Sequence, residues 1–128
     1  DLTNMQTGIF GYKGRVHFQT GLCINEELEA LRGLPKTEVF TQVSALIDKY
    51  IHRNYRLYPG NYVACDLLNG TETFAGKYSP EEKKRFEAYL QKKLDLIQLP
   101  NKDEDFLRQR ILTMYANPAI NHLKAIAQ

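Results

Sequence analysis

The chain has 128 residues, of which 43% are apolar and 25% are charged, and its formal net charge is +2 at pH 7. This composition is typical of a globular domain with its own hydrophobic core rather than a disordered chain. The small net charge does not indicate a nucleic-acid partner, and apolar runs of only a few residues exclude a membrane-spanning segment. The spacing of the two cysteines does not indicate a disulfide, so we expect free thiols in a reducing, cytoplasmic compartment.

Residues 1–24 predict an extended lead-in followed by a short β-hairpin or edge strand. Residues 15–19, Arg-Val-His-Phe-Gln, alternate polar side chains with β-branched or aromatic ones, which is typical of a strand. The glycines of residues 11–14 favour a turn before it, and residues 8–10 are the available hairpin partner. A lone hairpin is marginally stable, so we expect the strand to edge a sheet whose other strands lie upstream. An exposed strand edge also predicts a homodimer.

Residues 25–128 predict a mostly α-helical module of four to six amphipathic helices. Asn25 is a suitable N-cap for a short first helix, because its side chain accepts from free backbone N–H groups. Apolar positions at helical spacing from Thr37 onward predict the main helix of the first half, which ends before Pro59. Residues 61–68 predict a further short helix.

The second half contains stronger helix signals. Residues 79–82, Ser-Pro-Glu-Glu, predict a helix start with a serine N-cap, a proline in the first position and a capping box closed by glutamate. The buried stripe of this helix is expected to contain Phe86, Tyr89, Leu90, Leu94 and Ile97. Pro100 ends the helix, Asn101 with Glu104 predicts the next start, and Pro118 predicts the start of a separate last helix.

The histidines and cysteines do not form a recognisable catalytic or metal-binding pattern. His17, His52 and His122 lie far apart in sequence and do not have the spacing of zinc ligands. Cys65 lies beside Asp66, whose charge raises the pKa of the thiol and opposes a nucleophilic role. Core packing is therefore the simpler interpretation of both cysteines, and we expect neither a cofactor nor a metal.

The Tyr-rich turn, which we define as residues 52–62, is the main candidate interaction site. Its candidate residues are His52, Arg53, Tyr55, Arg56, Tyr58 and Tyr62. A structural interpretation is that the rings cover the core while their hydroxyls reach water. A functional interpretation is that rings and cations dock an anionic headgroup or a neighbouring domain.

A second basic set lies on and near the helix that begins at Ser79. Its members are Lys77, Lys83, Lys84, Arg85, Lys92 and Lys93. Three glutamates are interleaved with these cations, so a solvated helix face is the first interpretation. An anionic surface as partner is the alternative.

Two segments resemble the C-terminal part of bacterial, Bacteroidetes-type glycerophospholipid acyltransferase-like proteins, in the lysophosphatidic acid acyltransferase superfamily. Residues 13–28, Lys-Gly-Arg-Val-His-Phe-Gln-Thr-Gly-Leu-Cys-Ile-Asn-Glu-Glu-Leu, resemble a late strand that runs through a turn into a helix. This segment departs from the family pattern at residues 22–23, Leu-Cys, where a proline is expected. Residues 52–68, His-Arg-Asn-Tyr-Arg-Leu-Tyr-Pro-Gly-Asn-Tyr-Val-Ala-Cys-Asp-Leu-Leu, resemble a tail of that branch.

The resemblance implies a parent protein that transfers an acyl chain from a thioester carrier to a glycerolipid hydroxyl at the membrane surface. The family uses a His-x4-Asp pair in which the histidine is the general base. None of the three histidines here is followed by aspartate at that spacing; the residues found there are Leu22, Leu57 and Ala127. We therefore assign no catalytic residue and expect the chain to be inactive alone.

The resulting hypothesis is a C-terminal helical module excised from a longer protein. The chain opens with Asp1-Leu2, without an initiator methionine or a signal-peptide pattern. Its expected partners are an upstream catalytic domain of the same chain and the anionic surface of the inner membrane, with no nucleic acid. The alternative is an autonomous protein-interaction domain without enzymatic activity.

Overall fold

The computed structural model describes residues 1–12 and 14–127, and the chain is mostly helical, as predicted. In chain order the helices are α1 (Leu2–Phe10), α2 (Asn25–Ala30), α3 (Lys36–Asn54), α4 (Pro59–Asn69), α5 (Pro80–Asp95) and α6 (Glu104–Ile126). A short 3-10 turn at Ala75–Lys77 lies between α4 and α5. In the part of the chain that the structure describes, each helix is too short or too polar to cross a bilayer.

The hydrophobic core lies where α4, α5 and α6 meet. Val63 of α4 and Leu90 and Leu94 of α5 are completely buried there. Ala116 and Ala119 of α6 are also completely buried, and their small side chains let the helix backbones approach closely. Helix α3 packs against α6 and extends the bundle.

Helix α6 continues through Pro118, although this proline predicted the start of a separate helix. Proline lacks the N–H that would bond the carbonyl four residues earlier, and its ring crowds that carbonyl. Side chains of α4 donate to carbonyls close to the proline. Asn61 Nδ2 lies 2.9 Å from the carbonyl oxygen of Tyr115, and Cys65 Sγ lies 3.6 Å from that of Ala116. Proline leaves the carbonyl of Met114 without its helical donor, and these donors reach the two carbonyls that follow it, so tertiary contacts hold α4 against α6 at this position.

The prediction of a β-hairpin or edge strand is wrong, because the described residues contain no strand. Residues 8–10, the expected hairpin partner, belong to α1, where the Thr3 N–H donates to Asp1 Oδ1 at 3.0 Å and caps the helix. Residues 15–19 have no regular secondary structure, since a strand needs a backbone partner for its N–H and C=O groups. Lys13, in the predicted turn, lies outside the described residues. The described residues therefore offer no strand edge through which the predicted homodimer could form.

Among the described residues of 1–24, none is buried in the core. Phe18 is 91% exposed and Leu22 is 76% exposed. Cys23 is also exposed, which contradicts its expected core position, whereas Cys65 is buried; both thiols are free. This part of the chain therefore presents apolar side chains to its surroundings.

Of the helix starts predicted in the second half, that of α5 is confirmed in detail, and that of α6 is shifted by two residues. The Glu82 N–H donates to Ser79 Oγ at 3.2 Å, and the Ser79 N–H donates to Glu82 Oε2 at 2.8 Å, which completes the predicted capping box of α5. Helix α6 is capped by Asp103 rather than Asn101, since the Phe106 N–H donates to Asp103 Oδ1 at 2.9 Å.

Asp66 holds the loop between α4 and α5. Its buried carboxylate accepts hydrogen bonds from Thr71 Oγ1 at 3.0 Å, from the Phe74 N–H at 3.0 Å and from the Tyr78 hydroxyl at 2.8 Å. A buried carboxylate is costly unless it is hydrogen-bonded, so these donors stabilise the loop and the charge together. Burial, followed by the hydrogen bond to Asp66, raises the pKa of Tyr78 to about 12.

Truncation of Leu90 should strongly destabilise the fold. Because the side chain is completely buried, Leu90→Ala leaves a cavity and should lower the free energy of unfolding by about 2–5 kcal/mol. Urea denaturation followed by circular dichroism measures this loss. Leu99 is 58% exposed, and the matched control Leu99→Ala should change stability by less than about 0.5 kcal/mol. Equal losses in the two variants would contradict the assigned core.

Alkaline pH should destabilise the protein through Tyr78. The native state holds the phenol proton to about pH 12, whereas the unfolded chain releases it near the ordinary value of 10.0. The native state therefore binds more protons between these values, and the free energy of unfolding falls as pH rises through this window. Tyr78→Phe should flatten the fall, measured by urea denaturation across the window; an unchanged slope would contradict the prediction.

Tyr115 provides a second test of the same effect. Burial, followed by the hydrogen bond to the Tyr89 hydroxyl, raises the pKa of Tyr115 to about 12. Tyr115→Phe should therefore flatten the same pH window, and the Tyr78→Phe, Tyr115→Phe double variant should flatten it further.

Candidate functional site

The Tyr-rich turn joins the end of α3 to α6. The Tyr55 hydroxyl donates to the carbonyl of Pro118, and burial raises the pKa of this phenol. The Tyr55 and His52 rings meet edge to face with centroids 5.9 Å apart. His122 Nδ1 lies 2.9 Å from the His52 carbonyl oxygen, and since a carbonyl only accepts, Nδ1 carries the proton. Tyr55 and His52 therefore have a structural role in this contact.

The beginning of α4 directs Tyr58 and Tyr62 to different places. Helix α4 starts at Pro59, and the Tyr58 N–H donates to Asn61 Oδ1 at 2.9 Å. Tyr62 lies one turn further and packs against Phe74, with ring centroids 5.5 Å apart. The Tyr62 ring thus packs against the core, whereas Tyr58 lies at the surface.

Tyr58 lies where three surface cavities meet. These cavities have volumes of about 570, 370 and 710 Å³, and Tyr58 lines each of them. The guanidinium carbon of Arg56 lies 5.7 Å from the centroid of the Tyr58 ring. Arg53 is exposed in the last turn of α3. Tyr58 therefore separates two surfaces that differ in chemistry.

We name the first surface the apolar face and define it as Phe18, Leu22, Ile47 and Ile51. These residues line the cavity of about 570 Å³, which lies between α3 and the extended segment that precedes α2. All of them are exposed to solvent in the structure. The helical core leaves this face uncovered, although its side chains have the chemistry of a buried surface.

The second surface, which we name the aromatic–basic cleft, comprises the adjoining cavities of about 370 and 710 Å³. Its floor consists of the rings of Phe86, Tyr89 and Tyr115. The Phe86 and Tyr115 rings meet edge to face with centroids 5.4 Å apart, and those of Tyr89 and Tyr115 do so at 5.9 Å. The hydroxyl oxygens of Tyr89 and Tyr115 lie 2.7 Å apart. A Cβ atom at Gly60 would lie 3.1 Å from Phe86 Cδ2, so glycine allows α4 to approach this floor.

The structure divides the basic residues around α5 into two groups. Arg85, Lys92 and Lys93 line the aromatic–basic cleft, and the Lys93 Nζ lies 5.4 Å from the centroid of the Tyr89 ring. They share one side of α5 with Tyr89, because intervals of three and four residues place side chains on one helix face. The remaining members do not line the cleft: Lys77, Lys83 and Lys84.

Sequence reasoning missed the aromatic–basic cleft. Tyr89, predicted to be buried, is 38% exposed. The four-residue intervals from Arg85 to Tyr89 and from Tyr89 to Lys93 are the signal that indicates a shared face. Tyr115 belongs to α6, and its position beside Tyr89 depends on how α5 and α6 pack.

Cys65 does not have the environment of a nucleophile. Burial, followed by the charge of Asp66, raises the pKa of the Cys65 thiol. Its sulfur faces the carbonyl of Ala116 inside the core. A raised pKa keeps the thiol protonated, and the thiolate is the reactive form.

No family model, curated protein or solved structure matches this chain. The functional interpretation therefore starts from the chemistry of the apolar face and the aromatic–basic cleft. The cavity at the apolar face is lined by residues of two separate segments, 13–28 and 52–68, as well as by residues of α3. Phe18 and Leu22 come from residues 13–28, and the adjoining Arg56 and Tyr58 come from residues 52–68.

Removal of the Tyr55 hydroxyl should weaken the contact between the Tyr-rich turn and α6. Tyr55→Phe removes the donor to the Pro118 carbonyl and should lower the free energy of unfolding by about 0.5–1.5 kcal/mol. Thermal and urea denaturation measure this change. Tyr58→Phe is the control, because the Tyr58 hydroxyl makes no hydrogen bond within residues 1–12 and 14–127. A control variant that loses as much stability would contradict the assigned role.

Proposed function

We propose that the chain is the C-terminal helical module of a glycerolipid acyltransferase-like protein, in which it supports the catalytic domain by packing against it through the apolar face. The exposure of this face is the observation that carries the proposal. Two of its side chains come from α3 and two from the segment before α2, and none of them belongs to the core that α4, α5 and α6 form. The partner that we infer is another folded protein domain, whose surface would bury these apolar side chains.

The free energy gained by burying apolar side chains favours the binding of a protein surface to the apolar face. Full burial of one large apolar side chain contributes about 1.5–3 kcal/mol relative to exposure. Phe18 and Leu22 lie in one cavity wall, opposite Ile47 and Ile51 of α3. Contiguous exposed apolar residues with a polar rim are typical of interaction sites, and Arg56 supplies part of such a rim here.

The resemblance supports a catalytic domain as the specific partner. In the family, the segment that residues 13–28 resemble is a late strand that runs through a turn into a helix; here residues 15–19 have no regular secondary structure, and the helix that follows is α2. In this chain, residues 17–24 form one wall of the cavity, and Tyr55, Arg56 and Tyr58 of the second resembling segment form part of the other. Both segments therefore line the cavity at the face that we assign to the catalytic domain.

Charged substitutions on the apolar face should impair the full-length protein and leave the module folded. In the isolated chain, Phe18→Asp with Leu22→Asp should change the free energy of unfolding by less than about 0.5 kcal/mol, because both side chains are exposed. In the full-length protein the same pair should lower thioester-dependent acylation of a glycerolipid and the unfolding temperature. The matched control is Leu99→Asp with Met114→Asp, at exposed positions elsewhere.

Two results would contradict the proposal. Full-length protein that keeps its activity and unfolding temperature after the Phe18 and Leu22 substitutions would show that the apolar face does not contact the catalytic domain. A full-length protein that lacks acyl transfer, but loses a protein partner with the same substitutions, would identify an autonomous protein-interaction domain.

A further inference from the structure

We propose that the aromatic–basic cleft, together with the apolar side of α1, is the surface by which this module contacts an anionic lipid bilayer. The inference rests on the proposed function, because acyl transfer to a glycerolipid takes place at a membrane surface. It uses a different part of the molecule from the apolar face. An anionic bilayer is therefore the second partner that we propose, beside the catalytic domain.

The first support is the arrangement of the cleft cations. Arg85, Lys92 and Lys93 share one side of α5, and none of them forms a salt bridge within the described parts of the chain. Glu82 also lines the cleft, so its carboxylate offsets one of these three positive charges. Each lysine or arginine near the surface of an anionic bilayer adds to the attraction between the two. The cleft cations can therefore act together on lipid phosphates.

The second support is the aromatic floor. Tyr89 is partly exposed, and its hydroxyl meets that of Tyr115 at the surface edge of the ring cluster. Tyrosine has an apolar ring and a polar hydroxyl, so it is favoured where a bilayer changes from hydrocarbon to headgroup. The cleft therefore combines cations for headgroups with rings suited to the interface.

The third support is the orientation of α1. Leu2, Met5 and Ile9 recur at intervals of three and four residues on one side of α1, and all are exposed, Ile9 by 66%. Thr7 lies on the other side and lines the cleft with Gly11. Helix α1 thus borders the cleft with its polar side and leaves its apolar side exposed beside it. An exposed apolar helix side beside basic residues is typical of helices that lie in a bilayer interface.

This assignment differs from the expectation that Tyr55, Arg56 and Tyr58 dock the membrane. The Tyr55 hydroxyl donates to Pro118, and its ring packs between α3 and α6. Tyr58 also lines the aromatic–basic cleft and lies at its border with the apolar face. The membrane contact is therefore assigned to α5 and α1.

Vesicle co-sedimentation of the chain tests the proposal with two charge-matched triple variants. The cleft variant carries Arg85→Gln, Lys92→Gln and Lys93→Gln. The control variant removes three cations outside the cleft: Lys77→Gln, Lys83→Gln and Lys84→Gln. Circular dichroism and thermal unfolding first establish that both variants are folded.

The intact chain should bind vesicles of phosphatidylcholine mixed with phosphatidylglycerol, and binding should weaken as salt is added. The cleft variant should lose about tenfold or more of this affinity, and the control variant less than about threefold. Met5→Gln with Ile9→Gln should lower the part of the binding that persists at high salt, because that part depends on apolar insertion.

Three outcomes would overturn the proposal. The first is equal affinity of the intact chain for the mixed vesicles and for phosphatidylcholine alone, including no binding to either. The second is an equal loss in the two triple variants, which would show an effect of net charge alone. The third is cleft-dependent binding to heparin that equals the binding to vesicles, which would identify a general polyanion site. Since none of these measurements uses acyl transfer or the Phe18 and Leu22 positions, their failure is distinguishable from failure of the proposed function.

Discussion

Hydrogen bonds to the backbone of α6 around Pro118 determine how the two halves of this molecule meet. Proline removes one helical N–H donor at this position, and side chains of the preceding segment donate to carbonyls close by. The donors are Tyr55, Asn61 and Cys65. Because buried polar groups need partners, these contacts hold the end of α3 and the start of α4 against α6. The position of Tyr58, between those helices, follows from them.

The position of Tyr58 in turn separates the two surfaces on which the functional interpretation depends. The apolar face lies toward α3 and the extended segment, whereas the aromatic–basic cleft lies toward α5 and α1. Asp66 holds the loop that leads to α5, and α5 carries the cations of the aromatic–basic cleft. The two partners that we propose, a protein domain and an anionic bilayer, would contact adjacent surfaces that meet at Tyr58.

Local sequence patterns mispredict the structure where contacts between distant parts of the chain decide it. Residues 15–19 alternate as in a strand, yet they have no regular structure, because residues 8–10 form a helix instead of a partner. Pro118 predicts a helix start but lies inside α6, where donors from elsewhere in the chain hold α4 against the helix. Tyr89 follows the buried periodicity of α5 but is partly exposed, since it lies at the edge of the α5–α6 contact.

The sequence by itself determined the helical character and the capping box of α5. These features depend on side chains that are close in sequence or on a strong apolar pattern, such as Ser79 with Glu82. Only the tertiary structure decided which of the basic residues share a surface with aromatic rings, and which tyrosines are used inside the fold. The contacts of Tyr115 with Tyr89, and of Tyr55 with Pro118, join residues distant in the chain. Such contacts depend on how whole helices pack, which no local pattern specifies.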